Sequence, residues 1–163
     1  MIKVGILTAS DKGSKGERVD ESGKVIADAV KQIGGEVIIY RIVPDDRQQI
    51  SQTLVEISDD YGADLILTTG GTGFSPRDIT PEATLDVVER QVPGIPEAMR
   101  QKSLQITDRA MLSRAVAGIR GKTLIINMPG SPKAVSESLE VILPVLTHAI
   151  QILIGTTGEC ARK

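Results

Sequence analysis

The sequence predicts an α/β layer fold built on a mainly parallel sheet with an antiparallel edge hairpin, and three observations carry that reading. Short apolar, β-branched runs alternate with longer stretches whose apolar residues recur at helical spacing. The first such run, Ile2 to Thr8, is apolar almost throughout, as a parallel strand covered on both faces is. Late in the chain, two strand-like runs are separated only by Arg120-Gly121-Lys122, a hairpin spacing.

The elements follow in order. Ile2 to Thr8 is the first strand, so the opening MIKVGILTAS reads as structure and not as a signal peptide. Ser10 to Gly23 is a polar loop, too long to be a mere connector in a compact domain. The next helix sets Ile26, Ala29, Val30 and Ile33 on one face and closes at Gly34-Gly35. Glu36 to Val43 is the second strand, stopped by Pro44. Asp45-Asp46-Arg47-Gln48 then opens a helix whose apolar face is Ile50, Leu54, Ile57 and Tyr61. Asp64 to Thr69 is the third strand. Beyond a glycine loop, Thr80 is expected as N-cap and Pro81 as the first residue of a helix reaching about Arg90. Pro93 to about Ile106 forms another helix, and Ala115–Ile119 pairs with Thr123–Met128. Ser131 caps the last helix, with Pro132 in its first turn. That helix bears two adjacent apolar stripes, one through Leu139, Ile142, Leu146 and Ile150, the other through Val141, Val145, His148 and Ile152. So wide an apolar arc points to a subunit contact.

At 163 residues the chain fits one domain spanning 1–163, without repeats or linkers. Aromatic residues are limited to Tyr40, Tyr61 and Phe74, so the core is aliphatic and platforms for stacking bases are scarce. A formal net charge of −2 gives no reason to expect a nucleic-acid partner. The lone Cys160 has no partner for an internal disulfide, which fits a reducing cytoplasm; it reads as a bystander, not a nucleophile. Leu139 to Ile154 is apolar but interrupted by Glu140, Pro144 and Gln151, so neither a membrane span nor a membrane partner is expected. His148, the only histidine, has no metal-ligand neighbour at a suitable spacing and no G-x-S-x-G elbow to serve. It is expected as a packed or interface residue.

The chemistry concentrates in residues 65–82, LILTTGGTGFSPRDITPE. A strand ends at Thr69, passes through Gly70, Gly71, Thr72 and Gly73, and the chain re-enters helix at Thr80-Pro81-Glu82. Glycines let the backbone take positive φ and let a phosphate approach its amides, while a helix N-terminus adds positive partial charge. Arg77 suits phosphate oxygens; Asp78 suits magnesium or a polar substrate group. A tight turn without any ligand would also explain the glycines, and the loop matches neither G-x-G-x-x-G nor the P-loop pattern. The adjacent Arg77-Asp78 pair weighs toward a ligand. Asp78 could instead favour the helix start, two residues before Thr80. Asp45, with Gln48 three residues on, makes a capping box that explains it without a ligand, and the residues alone leave both readings open. Ser131 has a full explanation as an N-cap, although the same geometry would aim amides at an anion. In parallel sheets ligands lie beyond the carboxyl ends of strands, where loops 10–23, 70–78 and 129–133 gather.

TTGGTG at 68–73 followed by RDITPEAT at 77–84 resembles the signature of the MogA/MoaB family of molybdenum-cofactor biosynthesis proteins, whose domain recurs in gephyrin and its plant counterpart. The likeness continues through Ser10-Asp11, Pro44-Asp45, PGIPEAMR at 93–100 and SRAVAGIRGKTLIINMPGSPKA at 113–134. The resemblance implies a three-layer αβα sandwich assembled as a homotrimer, or alternatively a hexamer. It implies molybdopterin adenylyltransferase activity, with ATP and molybdopterin as substrates and Mg²⁺ as cofactor. Within the family a non-catalytic, MoaB-like pterin-binding or scaffold protein is the alternative. By this resemblance Asp45 and Asp78 are catalytic and hold the metal. Ser10, Asp11, Thr69, Gly70, Gly71, Thr72, Gly73, Arg77, Pro129, Gly130 and Ser131 bind nucleotide or pterin, with Asp20 a weaker candidate. A downstream molybdenum-insertion protein is the expected partner.

Overall fold

The computed structural model describes residues 1–157; Cys160 lies outside them. Six strands form one sheet in the order β2-β1-β3-β6-β5-β4. They are β1 (Ile2–Ala9), β2 (Gly35–Val43), β3 (Leu65–Thr69), β4 (Arg90–Gln91), β5 (Ala117–Arg120) and β6 (Thr123–Met128). β1 pairs in parallel with β2 and β3, and β3 with β6, while β5 runs antiparallel between β6 and β4. The expected mixed architecture is present, with a short outer strand, β4, beyond the expected hairpin.

Strand parity makes the layers. On β1, Val4 and Ile6 point to one face and Leu7 and Ala9 to the other; on β3, Leu65 and Leu67 oppose Ile66; on β6, Leu124, Ile126 and Met128 oppose Ile125. The first face is covered by α2 (Glu21–Ala29), α5 (Gly94–Leu104) and α6 (Pro132–Ile154), through Ile26, Met99, Leu139, Ile142 and Leu146. The second is covered by α3 (Arg47–Val55) and α4 (Thr80–Leu85), through Ile50, Leu54 and Ala83. Both faces being covered, the central strands need apolar residues at every position, which is why they read as continuous hydrophobic runs. This is the three-layer αβα sandwich.

Several local expectations need correction. The polar stretch 10–23 is not all loop: Ser10 caps a single turn, α1 (Asp11–Ser14), and Asp20 caps α2, so Gly23 is already helical. Asp46, not Asp45, is the N-cap of α3, its side chain accepting from the Gln49 amide at 2.8 Å. The capping box proposed for Asp45 is therefore absent. Thr80 is the first helical residue and not the N-cap, because Ile79 precedes it and Thr80 N–H donates to the Gly71 carbonyl at 3.1 Å. Helix α4 stops at Leu85, well short of Arg90, since the chain must leave the helix to lay Arg90–Gln91 beside β5.

Helix α6 spends its first stripe on the core, and its second is open in part: Val141 packs against the core, while Val145 is 52% and Ile152 49% exposed. By length and composition alone α6 is long and apolar enough to cross a membrane, contrary to the expectation that its polar residues disqualify it. The five residues Val135, Leu139, Ile142, Leu146 and Ile150 are nevertheless buried against the sheet, which places α6 as a domain helix with one uncovered side.

Candidate active site

The chain passes from β1 to β2 on one side and then back across β1 to β3 on the other, so a crevice opens at their carboxyl ends. A cleft of about 740 Å³ occupies that position. Its floor is Thr8, Ala9 and Thr69, and its sides come from the 10–22 segment, the glycine loop and the start of α6.

The glycine loop begins just past the last paired residues of β1 and β3, Thr8 and Thr69. Gly70 has φ 90°, and a β-carbon there would run into the Ala9 carbonyl oxygen. Gly71 has φ 69°, and its β-carbon would strike Thr80 Oγ1 and lie 3.2 Å from Asp45 Oδ1. Only glycine satisfies both the backbone conformation and the close approach. Thr80 itself is fully buried beneath the loop.

Asp45 sits after β2 and is tied to Asp11 by reciprocal bonds: the Asp11 amide donates to Asp45 Oδ2 at 3.1 Å, and the Asp45 amide donates to Asp11 Oδ1 at 3.0 Å. Burial pushes the Asp45 carboxyl above its ordinary value; the bond from the Asp11 amide partly offsets this, and the negative charges of Asp11 and Asp78 add to it. Asp11 is held low by the guanidinium of Arg77, which grips both its oxygens at 2.9 and 3.0 Å. Asp78 Oδ2 accepts from the Ser75 amide at 3.0 Å, and the Asp78 amide donates back to the Ser75 carbonyl at 2.9 Å, a turn that aims the carboxylate at the cleft.

Of the residues expected from sequence, Ser10, Asp45, Thr69, Gly70, Gly71, Asp78, Gly130 and Ser131 line this one cleft. Asp11, Thr72, Gly73, Arg77 and Pro129 do not form its wall. Arg77 and Asp11 pair with each other, Thr72 is buried, and the Pro129 carbonyl accepts from Thr69 Oγ1 at 2.6 Å. The hydroxyls of Ser10 and Ser131 accept from the Gly13 and Ala134 amides, which leaves each O–H able to donate into the cleft.

Sequence reasoning missed Thr8, Arg18, Glu21 and Ser22 as lining residues and gave Asp20 too little weight. Asp20 accepts from Thr8 Oγ1 and from the Tyr40 hydroxyl, and its other oxygen caps Gly23. The signal was available: Asp20 followed by the apolar period of α2 is an N-cap pattern, which would have shortened the loop and set Ser22 against its end.

The family model described as a probable molybdopterin binding domain matches residues 5–148. The chain belongs to this family. A curated molybdopterin adenylyltransferase of Helicobacter pylori is 44% identical over 99% of this chain and 93% of its own length. The gephyrin of Dictyostelium discoideum is 46% identical over 92% of this chain, although the match spans only 22% of that longer protein. Among solved structures, the molybdopterin biosynthesis enzyme MoaB of Thermus thermophilus superposes with a TM-score of 0.90 at 52% identity, covering 95% of this chain and 98% of that one. A MogA structure superposes at 0.88 with 36% identity, covering 93% and 99%. The sandwich is thus shared with both the MoaB and the MogA structure.

Proposed function

We propose that this chain is a molybdopterin adenylyltransferase, a nucleotidyltransferase of molybdenum-cofactor biosynthesis that moves AMP from ATP to the phosphate of molybdopterin. The observation that carries the mechanism is the charge of the cleft. Among the described residues, Asp20, Glu21, Asp45 and Asp78 line it against a single cation, Arg18. Two phosphorylated substrates would meet net repulsion there unless a cation enters with them.

Magnesium fits this need. It takes hard oxygen ligands and keeps one or two carboxylates together with phosphates and waters, and Asp45 and Asp78 both line the cleft, near enough for the charge of Asp78 to add to the raised proton affinity of Asp45. When bound, Mg²⁺ would neutralise the charge that gathers on pyrophosphate as it leaves.

A phosphate oxygen of molybdopterin attacks the α-phosphorus of ATP, a new P–O bond forms, and the bond to pyrophosphate breaks. Chemistry of this kind needs placement and charge neutralisation more than covalent help. Amides of the Gly70–Gly71 turn, which lines the cleft, would hold phosphate oxygens on one side. The start of the 23-residue helix α6, at Gly130 and Ser131, supplies amides and a positive helix end on the other. We further propose a homotrimer closed through the open stripe of α6, and a metal-inserting protein as recipient of the product. The test of the activity is direct: incubation with ATP, Mg²⁺ and molybdopterin should yield adenylylated molybdopterin and pyrophosphate. No AMP ester above the enzyme-free control, with folded protein, would refute it.

A further inference from the structure

Outside the cleft, one side chain holds the segment from which Asp78 reaches into it. Residues 72–79 have no regular secondary structure, yet they carry the carboxylate on which the proposed chemistry depends. Arg114 lies behind them, just ahead of β5. Its amide donates to the Thr72 carbonyl at 2.8 Å, Nε donates to the Gly73 carbonyl at 2.8 Å, and Nη2 donates to the Asp78 carbonyl at 2.9 Å. Nη1 pairs with Glu82 in the first turn of α4, and the other oxygen of that carboxylate is buried without a hydrogen-bond partner.

We infer that Arg114 is a positioning residue for the reaction: it clamps both ends of the 73–78 loop to α4 and so fixes the place of Asp78, without touching substrate. A planar guanidinium spreads five donors over three nitrogens in a rigid fork and so spans acceptors that lie apart; an ammonium carries its three donors on one atom at the end of a flexible stem and cannot span them. Glu82 aims the fork, since charge pairing fixes Nη1 while Nε and Nη2 remain for the two carbonyls. The Asp78 carboxylate is otherwise held by its local turn with Ser75, which belongs to the same segment and would move with it, while the neighbouring Arg77 tethers that segment to Asp11 through a more exposed ion pair. Loss of the clamp would therefore let the carboxylate drift while cleft residues on β1, β3 and α6 stay in place. A displacement of about 1 Å at such a group costs up to a hundredfold in rate.

This inference rests on the adenylyltransferase reading, and the experiment separates the two. Wild type, Arg114→Lys and Glu82→Gln, each as the full chain, are compared by thermal melting, by hydrogen–deuterium exchange, and by adenylyl transfer across a magnesium titration. Arg114→Lys should fold, exchange faster at 72–79 than wild type while β1, β3 and α6 keep their protection, lose about tenfold or more in kcat, and require more Mg²⁺ for half-maximal rate. Glu82→Gln keeps the fork on both carbonyls and should change the same readouts in the same direction by less. Unchanged exchange and magnesium dependence in Arg114→Lys would overturn the proposal. So would global unfolding of that variant, or faster exchange throughout the molecule, because Arg114 would then serve the fold and not the loop. An inactive wild type would sink the functional reading, and the exchange pattern alone would then decide the clamp.

Discussion

Asp45 and Asp78 share a cleft but are held in different ways, and substitution should separate their roles. Asp45 is partly buried beside two other carboxylates, so its proton affinity is raised. A raised folded pKa means that the folded chain binds the proton more tightly than the unfolded one. The ionised carboxylate is then a liability to stability above that pKa, and the liability vanishes below the ordinary value of 3.8. Asp45→Asn keeps an acceptor for the Asp11 amide and should melt no lower than wild type at pH 7, with any advantage shrinking as pH falls toward 4. Adenylyl transfer should drop steeply. A variant with a lower melting temperature and full turnover would show Asp45 to be structural. In the proposed magnesium site, protons would compete with the metal at Asp45, so the Mg²⁺ needed for half-maximal rate should climb with acidification at a higher pH than an ordinary aspartate would produce. Asp78→Asn preserves the bond from the Ser75 amide, should fold normally, and should lose magnesium-dependent transfer by about a hundredfold. Equal magnesium titrations for the two proteins would count against a metal role.

At the scale of the element, the strand-to-loop junction is the least forgiving part of the molecule. Gly71 combines positive φ with a side opening onto Thr80 and Asp45. Gly71→Ala should cost roughly 1–3 kcal/mol in stability from backbone strain, and more in activity because the displaced atoms include the Asp45 carboxylate. Chemical denaturation and initial rates on the same preparation would test this. An alanine variant of native stability and native rate would mean that the turn relaxes freely. Gly121, in the β5–β6 hairpin, also has positive φ but nothing near its missing side chain. Its replacement should affect stability alone.

For the whole molecule, the exposed stripe of Val145 and Ile152 on a helix whose other stripe is core needs a cover. A second and third copy provide it in the proposed trimer. Light scattering coupled to size exclusion should report about three times 17.4 kDa. Val145→Glu with Ile152→Glu should shift that mass toward the monomer without melting the domain, since neither side chain is in the core. A wild-type monomer would leave the stripe for a different partner.

Much of this protein was legible in one dimension. The strands showed as apolar runs, because strands covered on both faces need apolar residues at every position. The glycine turn showed because positive φ narrows the choice of residue, and the motifs flanking it carried the family. Local rules failed where competing caps were near in sequence. Asp45 and Asp46 are equivalent as printed, and only the packing of α3 chose Asp46 as cap and left Asp45 to face the cleft. Thr80 read as a cap because a threonine before proline often is one, until the Gly71 carbonyl took its amide. The convergence of Asp20 and Glu21 with Asp45 and Asp78 around one cleft, and the fork of Arg114, lay beyond sequence reasoning. Each joins residues dozens of positions apart, and such juxtapositions exist only once the sheet order has been chosen. The sequence by itself determined the layers, the family and the two central carboxylates; tertiary structure decided which loops meet, because long-range charge and hydrogen bonding depend on distance in space and not on separation along the chain.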